Sequence, residues 1–238
     1  MCAISPNFPR CIRPMIFEND DVQWRFSARG TGFLVTHENR IFAVTARHVV
    51  SDHLPSQYRI PNCLGSHNML PIRQPFTPAF YCRENYEAVD FEDFVIAPID
   101  STAIAGEDFD PADASIMDES AIQWSAIQRV GVYGFPSDIQ SVDYEQGLIS
   151  IQPCGMIGNL TGQSLGEGLR EIQFDAGGDL NTYDGFSGSP VFQISDSGNM
   201  GRLLGIVLRG SQDTSASRRC HFLDIRVVPP LIRHHLQQ

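Results

Sequence analysis

Apolar residues fall in short β-rich runs cut by Gly, Pro, Asn or Asp, and few windows repeat them at the 3.6-residue helical period. The pattern predicts strands over Val22–Phe26, Gly32–Val35, Ile41–Thr45, Ala79–Cys82, Phe94–Ile99 and Val130–Phe135. It predicts further strands over Leu148–Gln152, Glu171–Phe174, Val191–Ile194, Leu203–Leu208 and His221–Val227. Spacing of this kind suggests antiparallel sandwiches or barrels rather than βαβ units. One helix is predicted at the C-terminal end. Pro229 and Pro230 fit its first turn, and Leu231, Ile232 and Leu236 fall on one side. The acidic stretch Ser101–Ser125 carries few strand signals and is expected to connect two β units.

Composition narrows the function. The chain has 238 residues, 42% of them hydrophobic and 19% charged, which excludes a coiled coil, collagen and long disorder. A net charge of −11 would repel a phosphate backbone, so nucleic acid is not expected as a partner. The acid is concentrated between residues 83 and 120, where Arg83 is the single base, and a solvated face is expected there. All 17 basic residues are Arg. Biased codon usage fits the Ile and Asn content poorly, and avoidance of amine-directed conjugation or of a Lys-cutting protease is the sharper reading. No apolar segment reaches the roughly 18 residues of a membrane span. The start, Met1-Cys2-Ala3-Ile4-Ser5-Pro6, lacks an export pattern, so the six Cys are expected as reduced thiols and the protein in the cytoplasm.

Three segments carry chemistry. Gly30-Thr31-Gly32-Phe33-Leu34-Val35 is followed by Ile41-Phe42-Ala43-Val44-Thr45-Ala46-Arg47-His48, a His directly after an apolar strand. Asp93-Phe94-Val95-Ile96 opens a buried-looking strand with an Asp. Asp184-Gly185-Phe186-Ser187-Gly188-Ser189-Pro190-Val191 sets a Ser between glycines before a strand. Each alone is weak: a lone His, a strand-opening Asp or a Gly-rich loop is most often structural. Together, His48, Asp93 and Ser187 lie 45 and 94 residues apart in β contexts. A Ser hydroxyl needs a neighbouring base, and His48 can take its proton and return it to a leaving group. Asp93 would hold the imidazole tautomer. Asp90 is the rival acid, but it stands before the strand rather than at its opening.

These segments resemble those of the trypsin/chymotrypsin-like serine peptidases, nearest the cysteine-poor bacterial glutamyl-endopeptidase and HtrA-like members. Thr45-Ala46-Arg47-His48 matches Thr-Ala-x-His, and Gly185-Phe186-Ser187-Gly188-Ser189-Pro190-Val191 matches Gly-x-Ser-Gly-Ser-Pro-Val. Val130-Gly131-Val132-Tyr133-Gly134-Phe135-Pro136 looks like the strand opening a second barrel, and Leu204-Gly205-Ile206-Val207 like the strand after the serine. The resemblance implies an all-β fold of two packed six-stranded antiparallel barrels with a short C-terminal helix. Residues 1–14 would form an extension, 15–112 the first barrel, and 113–238 the second barrel and helix. It implies a serine endopeptidase with His48, Asp93 and Ser187 as the triad, and the N–H groups of Gly185 and Ser187 as the oxyanion hole. No cofactor or metal is implied, and the expected partners are a protein or peptide substrate and a regulatory protein.

Departures from the family bear on specificity and control. The substrate pocket would involve Asn181, Thr182, Leu208, Arg209 and Gly210, with Asn181 where enzymes cutting after Arg or Lys carry Asp. Without that carboxylate a buried cationic side chain is poorly compensated, so uncharged side chains are expected at the cleaved position. Phe186 replaces the Asp that receives a freed α-amino group in zymogens, so no N-terminal processing is expected. Two rivals remain. A catalytically silent double barrel would act as a protein-binding module. An α/β-hydrolase with Ser187, Asp224 and His234 would need Gly-x-Ser-x-Gly, but Ser189 stands at the last Gly. His234-His235 is expected to be a solvated helix end rather than a metal site.

Overall fold

A computed structural model gives the architecture, and it describes residues 9–21, 24–61, 69–72, 75, 93–99, 112–113, 122–143, 145, 148–166, 168–175, 183–210 and 218–238. The first β unit holds β1 (Ile12–Glu18), β2 (Phe26–His37), β3 (Arg40–Ala46), β4 (Tyr58–Pro61), β5 (Met69–Pro71) and β6 (Phe94–Pro98), ordered β5-β4-β1-β2-β3-β6. Among the described residues an Ile72–Ile99 bridge joins the continuations of its two edge strands. The second unit is a closed barrel of β8 (Arg129–Gly134), β11 (Cys154–Gly166), β12 (Leu169–Phe174), β13 (Pro190–Ile194), β14 (Met200–Gly210) and β15 (Arg219–Asp224). A small hairpin pairs β9 (Ser141–Asp143) with β10 (Leu148–Ser150). Helix α1 (Arg47–Val50) follows β3, and α2 (Val228–Leu236) follows the second barrel with Pro at its first turn.

The central strands of the first unit bury both faces. Phe33, Val35, Phe42, Val44, Phe94 and Ile96 join a core continuous with the second barrel, whereas Leu34, Ala43, Val95 and Ala97 fill a core of their own. Burial on both sides turns an alternating pattern into a continuous apolar run. Each buried Phe contributes about 1.5–3 kcal/mol relative to leaving it exposed. The β2–β3 hairpin closes on Glu38 and Asn39, both at positive φ (48° and 61°), with His37 opposite Arg40. A two-residue turn with both φ positive matches the twist of the strands it joins.

The all-β reading, the two β units and the terminal helix match the expectation. Several details differ. Among the described residues the first unit is a half-barrel sheet, and β7 (Ala112–Asp113) pairs with β2 in parallel. β1 begins at Ile12, inside the stretch expected as an extension, and β7 straddles the expected boundary. Trp24 and Arg25 lie outside any strand, and the strand expected over His221–Val227 ends at Asp224, whose carboxylate accepts the Arg226 N–H and starts a 3-10 turn. The strand expected over Leu148–Gln152 is the three-residue β10, outside the barrel. Strands β1, β4, β5 and β11 carry no clear sequence signal. In β1 a fully buried Arg13 interrupts the apolar run, and its Nε donates to Pro61 O (3.0 Å). The Ala79–Cys82 strand, and most of the acidic connection, lie outside the described residues. Cys11 and Cys220 are buried and form no disulfide, but Cys154 is disulfide-bonded, which corrects the expectation of six reduced thiols. No helix among the described residues is long and apolar enough to cross a membrane.

Candidate active site

His48 stands on α1, directly after β3. Val49 and Val50 are buried and anchor the turn, leaving His48 half exposed. Gly30 makes room for that anchor: its φ is +77°, and a Cβ there would lie 2.7 Å from Val49 Cγ2. Asp93 precedes β6, whose Phe94 pairs with Ala46 of β3. That register delivers the Asp93 carbonyl to the Arg47 N–H (2.9 Å) and its carboxylate to the His48 N–H (3.1 Å). The same carboxylate meets His48 Nδ1 at 2.9 Å and 3.1 Å through its two oxygens. An ionised carboxylate only accepts, so Nδ1 carries the proton and Nε2 is left as the acceptor. Asp90 lies outside the described residues.

Ser187 sits in two consecutive turns. The Phe186 N–H donates to Tyr183 O (3.0 Å), and the Ser189 N–H donates to Phe186 O (2.9 Å). The Asp184 carbonyl is taken by the Ser137 N–H (3.0 Å). In a trans peptide the carbonyl and the following N–H point in opposite directions. Fixing the Asp184 and Phe186 carbonyls therefore aims the N–H groups of Gly185 and Ser187 the other way. Neither N–H has an acceptor among the described residues. Gly185 has φ +89°, and a Cβ there would overlap Phe135 O.

This loop is docked on the first unit as well as on its own barrel. Gly188 donates to Val207 O (2.8 Å), and Val207 returns a bond to Ser189 O (2.8 Å). Across the seam, the Thr31 N–H donates to Ser187 O (3.0 Å). Thr31 Oγ1 accepts from the Phe135 N–H (2.9 Å) and donates to Gly185 O (2.7 Å), while Thr45 Oγ1 donates to Thr31 O (2.7 Å). Gly188, at φ +83°, lies so near that a Cβ would overlap Thr31 O and Thr45 Oγ1 and stand 2.9 Å from Ala46 N. Ser187 is thus held beside the strand end that carries His48. Its Oγ has no hydrogen-bond partner among the described residues. Catalytic hydrogen bonds often tighten only when substrate is bound.

Phe186 is 1% exposed and belongs to the core shared by both units. A Cβ on Gly134 would stand 3.1 Å from its ring and overlap Ser189 Oγ, so the glycine leaves the space that the ring and hydroxyls fill. Tyr183, stacked on Phe174, has its hydroxyl pushed up to about 12 by burial. Of the expected pocket residues, Asn181 and Thr182 lie outside the described residues. Leu208 has its side chain in the core and offers substrate only backbone; Arg209 is exposed, and Gly210 pairs with Cys220 on β15. The roles of Thr31, Thr45 and Gly134 escaped the sequence reading, although all three lie inside segments it singled out. Asp224 pairs with Arg226 and His234 stands on α2, so neither forms a triad with Ser187. A cavity of about 460 Å³ lined by Trp124, Ile127, Leu160, Arg170 and others shares no residue with this site. Among the described residues no His, Cys, Asp and Glu gather as a metal cluster.

The fold is that of the trypsin-like serine proteases. A thermostable serine protease from an extremophilic microorganism superposes with a TM-score of 0.52 at 16% identity, covering 91% of each chain. An inactivated protease paralogue of the scabies mite superposes with a TM-score of 0.60 at 15% identity, covering 96% of each. No protein-family model and no curated protein matches the chain.

The loop geometry predicts that Gly185→Ala is disruptive, because it adds both a positive-φ penalty and an overlap with the Phe135 carbonyl. Thermal unfolding should show a lowered Tm, and amide exchange across residues 184–189 should accelerate. Unchanged exchange in that segment would contradict the loop conformation.

Proposed function

We propose that this protein is a serine endopeptidase that cleaves peptide bonds through an acyl-enzyme on Ser187. The observation that carries the reading is the His48–Asp93 pairing beside a loop whose Gly185 and Ser187 N–H groups have no acceptor among the described residues. In the proposed reaction Ser187 Oγ attacks the scissile carbonyl carbon, and its proton passes to His48 Nε2. The oxyanion that forms accepts from the two free N–H groups. His48 then gives its proton to the leaving amine, and water repeats the sequence to release the acyl group. Asp93 stabilises the imidazolium and does not itself become protonated.

The narrower likeness to glutamyl endopeptidases and HtrA-like members rests on motif segments alone. An intracellular bacterial role in regulation or defence, with control by a partner protein, belongs to the same proposal. The Cys154 disulfide weighs against the intracellular part, because disulfides persist mainly in oxidising compartments. A second reading, a catalytically silent double barrel that binds proteins, is favoured by the inactivated paralogue sharing the fold.

Ser187→Ala is expected to abolish cleavage of a peptide library while leaving the fold intact, and His48→Ala to be nearly as severe, because triad residues fail as a unit. Asp93→Asn should lower kcat by about 10⁴, with Asp90→Asn mild. Equal turnover by wild type and Ser187→Ala would support the silent module, and a reversal of the two Asp variants would move the acid to Asp90.

Phe186 has no charge to offer an ammonium group, and its buried ring already occupies the core beneath the loop. Activity is therefore expected to be the same with a blocked, uncleaved N-terminus as with a free one. Cleavage of a fluorogenic peptide by N-terminally fused protein, checked by intact mass, tests this. Activity that arises only after N-terminal trimming would refute it.

A further inference from the structure

We infer that the Thr31 hydroxyl is the positioning group that sets the oxyanion hole from the opposite β unit. This rests on the endopeptidase reading of the same site and assigns it a residue beyond the triad. Thr31 is fully buried at the seam, on β2 of the first unit, and touches no reacting atom. Its Oγ1 has two partners with fixed roles. The Phe135 N–H can only donate, so the hydroxyl accepts it at 2.9 Å; the Gly185 carbonyl can only accept, so the hydroxyl proton goes there at 2.7 Å. The proton position follows from the partners.

The consequence lies in the two peptides that flank Gly185. The peptide before it is held by the Asp184 carbonyl bonded to Ser137, and the peptide after it by the Gly185 carbonyl bonded to Thr31. Gly185 has φ +89° and no side chain to restrict it, so these two bonds, with the Phe186 N–H bond to Tyr183 O on the same following peptide, hold its N–H in place. Thr31 also bonds Ser187 O through its own N–H, and its carbonyl is held by Thr45 two residues before Arg47. One residue therefore ties both oxyanion donors to the strand pair that carries His48. Phe186, the residue before the serine, has no polar side-chain group to offer, and a hydroxyl from the neighbouring unit supplies the polar tie.

The test compares Thr31→Val, Thr31→Ala and Thr31→Ser. Val keeps the shape and removes the hydroxyl, Ala guards against misfolding from the added methyl, and Ser restores the hydroxyl. The expected result for Val and Ala is a kcat lowered about 10²-fold or more, as for loss of an oxyanion donor, with KM unchanged. Binding of a peptide boronic acid, which forms a tetrahedral adduct, should weaken by the same factor as kcat/KM. Ser should recover kcat and boronate affinity. Amide exchange of residues 184–189 should accelerate in Val and Ala but not in Ser, a readout that holds whether or not the wild type cleaves anything. Wild type without activity but with this exchange pattern would overturn the endopeptidase reading and leave the positioning role standing. A wild-type kcat in Thr31→Val, an effect confined to KM, equal losses in Val and Ser, or unchanged exchange would overturn the role of the hydroxyl.

Discussion

At the seam between the two β units, the backbone around Thr31 lies directly on the backbone from Gly185 to Ser189. Such close approach is open only to a loop without a Cβ at the contact point, which Gly188 provides. Hydrogen bonds then fix it: Thr31 to Ser187, Gly185 and Phe135, and Thr45 to Thr31. Buried backbone polar groups that lose such partners cost about 1–3 kcal/mol each, so this contact is strongly specified. Everything the proposed chemistry needs follows from it, because His48 and Asp93 belong to one unit and Ser187 to the other.

The fold supports the seam by burying three strands on both faces. β2, β3 and β6 place Phe33, Phe42 and Phe94 against the second barrel and Leu34, Ala43 and Val95 on the other side. With neither face free, the register of β6 against β3 cannot slip by one residue without turning every side chain to the wrong core. That register places the Asp93 carboxylate on both the ring and the backbone N–H of His48. A constraint of packing thus becomes a constraint on the imidazole tautomer. The nucleophile loop is secured similarly, by Phe186 in the shared core and by paired bonds to Val207.

Much of this was legible along the chain, and the gaps have physical causes. The doubly buried strands β3 and β6 announce themselves as apolar runs, and His48, Asp93 and Ser187 stand at their ends or between glycines. β1 was hidden by Arg13, whose burial depends on the Pro61 carbonyl far along the chain. β11 was hidden by its Gly, Asn and Thr content; it pairs on both sides, with β8 and β12, which local pattern does not reveal. Thr31 looked like one residue of a Gly-rich turn. Its role comes from partners more than a hundred residues away, at Phe135 and Gly185. The six cysteines looked like reduced thiols, yet disulfide pairing is a matter of spatial proximity that spacing alone leaves open.

The account stands on Ser187 being a nucleophile activated by His48. The most direct measurement is the site of covalent modification by a fluorophosphonate, mapped by peptide mass spectrometry in wild type and in His48→Ala. The expected result is a single phosphonyl adduct on Ser187 in wild type and none in the variant on the same timescale. Labelling that falls on other hydroxyls, or that proceeds equally without His48, would contradict it.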